Sequence, residues 1–281
     1  MFRSSSLCFP DGGKSCFACC PPIRDPEADA LNQLDRKKEL FRRNRLDLNK
    51  NLNQAGEIYG DSCWGLGFLD DGEHQVGCLL HPYQNGGTDL RSLTGYQSKC
   101  AGTLCLEAVT FSRLNPVQQR FYLTLADNLD SFHYSSRRHN PLMKILPWGT
   151  MVLAKIFDQQ KGKLGTRENF AACYGFFWQH LDYRLDGWLI NEYLKRRSIA
   201  DLAADHQAYR CLRQRLLQQY RPENSTPTPH ATSEPVHRLA IPLELSRLLK
   251  FGFDLWQGTA AEVSRLQAIL LAEIDRFATR K

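Results

Sequence analysis

A chain of 281 residues with 42% hydrophobic and 11% aromatic residues has apolar material for one large core or two smaller ones, which excludes disorder throughout. Its 36 basic and 30 acidic residues, a net charge of +6, make a mixed surface that nominates no partner, and nucleic acid is not an expected ligand. No stretch approaches the ~18 to 20 apolar residues needed to cross a bilayer, and the start Met1-Phe2-Arg3-Ser4-Ser5-Ser6 lacks the apolar centre of a signal peptide, so the cytoplasm is the expected compartment.

Residues 1 to 24 read as irregular, because Pro10, Gly12, Gly13, Pro21 and Pro22 interrupt any helical or strand period. Such a segment needs a staple to hold one shape. From Asp25 to about Asn53, Leu31, Leu34, Leu40, Phe41, Leu46 and Leu48 alternate with charges and predict an amphipathic helix, its Arg36 to Arg45 run forming a solvated face. Gly67-Phe68-Leu69 and Val76-Gly77-Cys78-Leu79-Leu80 flank the acidic turn Asp70-Asp71-Gly72-Glu73 and predict a small hairpin carrying Cys78. A loop at Asn85-Gly86-Gly87 and a helical turn over Asp89 to Leu93 follow, leading to Cys100.

Beyond Cys105 the pattern becomes helical. Asn115-Pro116 is a helix start, with Phe121, Leu125 and Leu129 at spacing four. Asn140-Pro141 repeats the device, with Pro147 breaking or delaying the helix, and further starts are expected near Thr166 and Asp186. Thr259-Ala260-Ala261-Glu262 fits a capping box and opens a last helix with Val263, Leu266, Leu270, Ile274 and Phe277 on one face. Pro222 to Pro235 reads as a flexible loop. The expected fold is mainly α: an irregular, cysteine-rich, metal-stapled module with a small β-hairpin over residues 1–110, packed on a helical region over 111–281 that carries a flexible loop near 222–236.

Eight of the ten cysteines, Cys8, Cys16, Cys19, Cys20, Cys63, Cys78, Cys100 and Cys105, fall in the first 105 residues. Disulfides persist mainly in oxidising compartments, so metal ligation is the preferred reading of this cluster, with buried free thiols or redox disulfides as its rivals. Cys16-Phe17-Ala18-Cys19 can turn two thiolates onto one ion, while adjacent Cys20 points elsewhere or packs. Four thiolates suffice for zinc or a cubane iron–sulfur cluster, and eight allow two sites, with His74 and His81 as nitrogen substitutes.

Cys16-Phe17-Ala18-Cys19-Cys20, then Cys63 before Gly67-Phe68-Leu69, then Gly77-Cys78-Leu79-Leu80-His81-Pro82 resemble the YkgJ-type cysteine-cluster family of zinc- or iron-chelating proteins, over roughly residues 8 to 105. The chain departs from that family's arginine-proline-cysteine element, having His81-Pro82, Asp89-Leu90-Arg91 and only then Cys100. The resemblance implies a bound iron–sulfur cluster or zinc with a structural or redox role. Through relatives that transfer methyl groups to protein lysines, it also implies an enzymatic alternative; a metal-free thiol–disulfide switch is the third.

The remaining chemistry-bearing residues carry less. Cys173 and Cys211, among aromatics and leucines, read as packing residues, as do Trp178 and Trp188. His133, His139 and His180 cluster loosely with Tyr134, Arg137 and Arg138 but have no carboxylate at a diagnostic spacing. No phosphate-cradling glycine loop, H-E-x-x-H element or G-x-S-x-G elbow occurs.

Overall fold

The computed structural model describes residues 6–20, 29–53, 62–102, 104–161, 166–220 and 234–279. Most of the loop expected at 222–236 and the first residues of the helix expected from Asp25 lie outside these segments. The chain is mainly helical and divides into two compact units, Met1–Pro147 and Trp148–Lys281. The division falls well beyond the 110/111 boundary read from composition. Among the described residues, no helix is long and apolar enough to cross a membrane.

In the first unit, α1 (Leu34–Leu46) and α2 (Leu48–Asn53) precede a hairpin of β1 (Leu66–Phe68) and β2 (Val76–Cys78), paired antiparallel with Gly67 opposite Gly77. The glycine at 67 is required by close packing: a Cβ there would lie 3.0 Å from the Phe41 carbonyl and 2.8 Å from the Leu79 side chain. The arginine run on α1 is not simply a solvated face. Arg42 binds Glu73, and Arg45 binds Asp71 and the Asp70 carbonyl, so the helix holds the acidic hairpin turn.

Four phenylalanines form the centre of this unit. Phe41 stacks on Phe132 at 5.7 Å and meets Phe17 and Phe68 edge-on at 5.6 and 6.1 Å, with Ala30, Leu66, Val76 and Cys63 around them. Phe132 comes from α6 (Ser131–Ser135), which explains why the unit extends past residue 110. The chain reaches α6 through α3 (Gln97–Gly102), α4 (Leu106–Ser112) and α5 (Pro116–Leu123), and continues into α7 (Pro141–Ile145). Asn115 caps α5 in a reciprocal box with Gln118, and Asn140 caps α7 through the Leu142 amide.

Residues 6 to 20 are irregular, as expected, but protein hydrogen bonds hold them. The buried Ser15 hydroxyl donates to the Val76 carbonyl and accepts from the Val76 amide, both at 2.7 Å, acting as a side-chain rung beside β2. The Ser15 and Phe17 amides donate to the Ser131 and Ser135 hydroxyls at 2.9 and 3.0 Å, and the Tyr134 hydroxyl donates to the Leu7 carbonyl. Ser15→Ala strands a buried amide and carbonyl and is expected to cost about 1–3 kcal/mol. Denaturant unfolding followed by amide exchange at Val76 measures this; unchanged exchange there would show that the hydroxyl is dispensable.

The second unit contains α8 (Gly149–Gln159), α9 (Arg167–Tyr174), α10 (Phe176–Gln179), α11 (Tyr183–Tyr193), α12 (Ile199–Ala204) and α13 (His206–Gln219). A minimal two-residue pairing of β3 (Glu234–Pro235) with β4 (Gln257–Gly258) flanks α14 (Leu243–Arg247), and α15 (Ala260–Ala278) follows. Pro147 sits in a single 3-10 turn before α8, α9 starts at the Thr166 cap, and α11 starts at Asp182, earlier than the expected Asp186. Thr259 and Glu262 form the capping box of α15, whose Val263, Leu270 and Ile274 are buried. At the centre of the unit, Asp186 is wholly buried, accepting from Tyr209 at 2.9 Å, Arg213 at 2.6 Å and the Asp182 amide at 2.8 Å.

Candidate functional site

All ten cysteines are free thiols. Cys173 and Cys211, expected to pack, are exposed: both lie on the solvent faces of α9 and α13, whose buried positions are taken by Phe170, Tyr174, Tyr209, Leu212 and Leu216. The other eight belong to the first unit and come from four places. Cys8 to Cys20 supply four, the chain around the hairpin supplies Cys63 and Cys78, α3 supplies Cys100, and the N-cap of α4 supplies Cys105.

Each of these places is fixed by local structure. The Cys16 amide donates to the Cys8 carbonyl at 2.8 Å, setting those two residues side by side. A turn closed by the Cys20 amide on the Phe17 carbonyl, 2.9 Å, carries Cys19 and Cys20. The buried Asn44 of α1 donates to the carbonyls of Cys63 and Leu66, at 3.3 and 2.8 Å, and so holds the loop that enters β1. Arg91 grips Asp89 with two nitrogens and donates to the Cys100 carbonyl at 2.7 Å, tying α3 to the preceding turn.

Backbone amides point at the sulfurs. Cys63 Sγ accepts from the Gly65 amide at 3.3 Å and Cys105 Sγ from the Ala108 amide at 3.4 Å. The Ala18 amide serves Cys16 and the Leu80 amide serves Cys78 in the same way. Such donors stabilise sulfur charge and fix the side chain that carries it.

The thiols lie close enough to feel one another. Burial pushes Cys63 and Cys105 up to about 11 and raises Cys16 further, with neighbouring cysteines adding to the effect and the amide hydrogen bonds opposing it. Burial likewise raises Cys8, Cys78 and Cys100; Arg91 opposes the rise at Cys78, and Arg91 with Lys99 does so at Cys100. A hydrogen bond from Cys20 lowers Cys19, helped by Lys99 and Arg137, while the same bond and burial raise Cys20. The chain therefore carries mostly neutral thiols at pH 7, with Cys19 the readiest to ionise.

One cavity, of about 120 Å³, is lined by Cys19, Cys20, Cys63, Cys78 and Cys100 together with His81, Arg91 and Lys99. His81 Nδ1 accepts from the Tyr83 amide at 3.2 Å, and its ring stacks on Tyr83. His74 instead pairs with Asp70 at 2.9 Å in the hairpin turn. Among the described residues, no three Cys, His, Asp or Glu side chains form a group that could hold a metal ion as they stand. The donor set itself, soft sulfur with amide donors and flanking cations, has the chemistry that zinc or an iron–sulfur cluster requires.

Asn44, Arg91, Lys99 and Arg137 are parts of the site that residue-type reasoning passes over. Arg137 pairs with the buried Glu107 at 3.0 Å, and its charge helps lower Cys19. His133, in a histidine group with no carboxylate at a diagnostic spacing, has Asp130 at 2.9 Å, an interaction local to the α6 cap. No family model, curated protein or solved structure matches the chain.

Proposed function

We propose that the first unit binds a thiophilic metal, as an iron–sulfur cluster or as zinc, through cysteines of the set Cys8, Cys16, Cys19, Cys20, Cys63, Cys78, Cys100 and Cys105. The observation that carries this reading is the gathering of eight unpaired thiols from four chain segments into one unit, with backbone amides directed at Cys16, Cys63, Cys78 and Cys105. The resemblance of their spacing to the YkgJ-type cluster supports it. Bound there, zinc supplies a cross-link and an iron–sulfur cluster one-electron transfer. Because the thiols are mostly protonated when metal-free, binding releases protons, and affinity is expected to fall as pH falls.

The lowered Cys19 beside a protonated Cys20 favours a second reading, a thiol switch without metal. One experiment separates the two: metal and sulfide analysis with a visible spectrum on anaerobically purified protein, alongside timed alkylation. Stoichiometric iron with sulfide, or zinc, that shields the eight thiols from alkylation is the expected result. Metal-free protein that stays empty after reconstitution, with Cys19 alkylated first, would overturn the metal reading and favour the switch.

A further inference from the structure

The turn between α11 and α12 carries three consecutive basic residues, Lys195, Arg196 and Arg197, in a fixed conformation. Leu194 and Ile199, each 1% exposed, anchor it at either end, and the three basic amides close onto the carbonyls of Glu192 and Tyr193. α12 packs on α8, whose Val152, Leu153 and Ile156 are buried, and this packing brings the exposed Lys155 of α8 to the same place. Lys155, Lys195, Arg196 and Arg197 line one open cavity of about 420 Å³, together with Ser198, Asp201 and a single apolar side chain, Leu194.

Part of this charge is already matched. Glu192 pairs with Lys195 at 2.6 Å and more loosely with Arg196 at 3.8 Å, and Arg196 also pairs with Asp275. Asp201 pairs with Arg197 at 3.2 Å while closing the Ser198 cap of α12. Among the described residues, Lys155 takes part in no ion pair, and Arg197 Nε is buried without a hydrogen-bond partner. Basic residues at the end of α11 serve its last carbonyls, as Arg196 does in donating to the Glu192 carbonyl at 2.7 Å. That role accounts neither for Lys155, which comes from another helix, nor for the unmet donor of Arg197.

We propose that this cavity binds the phosphoryl group of a small molecule. Its volume is that of a ligand site, while a lining with one apolar side chain suits a polar ligand. Ammonium and guanidinium donors converging from α8 and the turn suit a multiply charged oxyanion, and the guanidinium fork matches phosphate geometry. Lys155 supplies the charge that only the ligand would match. The site lies wholly within the second unit and is independent of the thiols and of the metal reading.

The test is titration calorimetry of inorganic pyrophosphate into wild type and Lys155→Glu at about 150 mM salt, which screens unspecific attraction, with citrate as a polyanion lacking phosphorus. Lys155 is exposed, and Lys155→Gln takes its place should the charge reversal alter the circular dichroism. Saturable one-to-one binding of pyrophosphate, weakened about tenfold or more in the variant, with citrate much weaker, is expected from loss of one charge-assisted contact. No saturable binding, or wild-type affinity in the variant, would overturn the site. Citrate bound as tightly as pyrophosphate would overturn the assignment to a phosphoryl group.

Discussion

Asp186→Ala is expected to destabilise the second unit by about 3–5 kcal/mol, the range for breaking a buried ion pair from one side. The carboxylate has no exposure and accepts from Tyr209, Arg213 and the Asp182 amide. Burial raises its pKa despite the Arg213 charge, so desolvation outweighs the pairing and the hydrogen bonds are what make the site tolerable. Removal leaves Arg213 largely buried without its partner, and Arg213 Nε already lacks one. Replacing both residues, as Asp186→Leu with Arg213→Met, is expected to recover much of the loss, because no charge is then stranded. Four of the five tryptophans, Trp148, Trp178, Trp188 and Trp256, belong to this unit, so tryptophan fluorescence in a denaturant series reads the transition. An alanine variant within about 1 kcal/mol of wild type would show that the pair has no structural weight.

Phe41→Ala is expected to have a comparable effect on the first unit, again about 3–5 kcal/mol. Phe41 is 1% exposed and touches Phe17, Phe68 and Phe132 at once. Truncation opens a cavity between α1, β1, α6 and the segment that carries Cys16 to Cys20. Phe17 then loses a partner, and the turn bearing Cys19 and Cys20 loosens with it. Hydrogen exchange is the measurement: protection should drop at Val76 and Gly77 and around Phe17, with little change in α11 or α15. Uniform loss across both units would mean that they unfold as one. Phe41→Leu, which keeps most of the volume, should cost about 1–2 kcal/mol.

The parts of this fold legible in the sequence are those decided within a few residues. Asn115-Pro116, Asn140-Pro141 and Thr259 to Glu262 start helices because a side-chain acceptor and a free amide meet two or three positions apart. The hairpin around Asp70 to Glu73 is equally local. The unit boundary is not, because the composition changes where the cysteines end, whereas contact continues through Phe132, Ser131 and Ser135 on α6. Cys173 and Cys211 were misplaced for a similar reason: aromatic neighbours along the chain do not say which helix face is covered.

The site was legible as residue types and not as an arrangement. Eight clustered cysteines stand out in any reading, but that Cys19, Cys20, Cys63, Cys78 and Cys100 line one cavity depends on contacts between segments far apart in the chain. Arg91 and Arg137 left no distinct signal, since their partners Asp89 and Glu107 are ordinary surface-type residues in the sequence. Asn44 is hidden inside a charged helical run.

The serine rungs at positions 15, 131 and 135 bear on how loading would proceed. A segment rich in proline and glycine was expected to need a metal staple, yet hydroxyl groups already fix it against the hairpin and α6. If the thiols take up a metal as proposed, these hydroxyl contacts would leave loading separable from folding, so a chelator should strip the thiols without melting the unit. The same contacts mean that loss of the proposed metal would leave the segment from Ser15 to Phe17 held in register with the hairpin and α6.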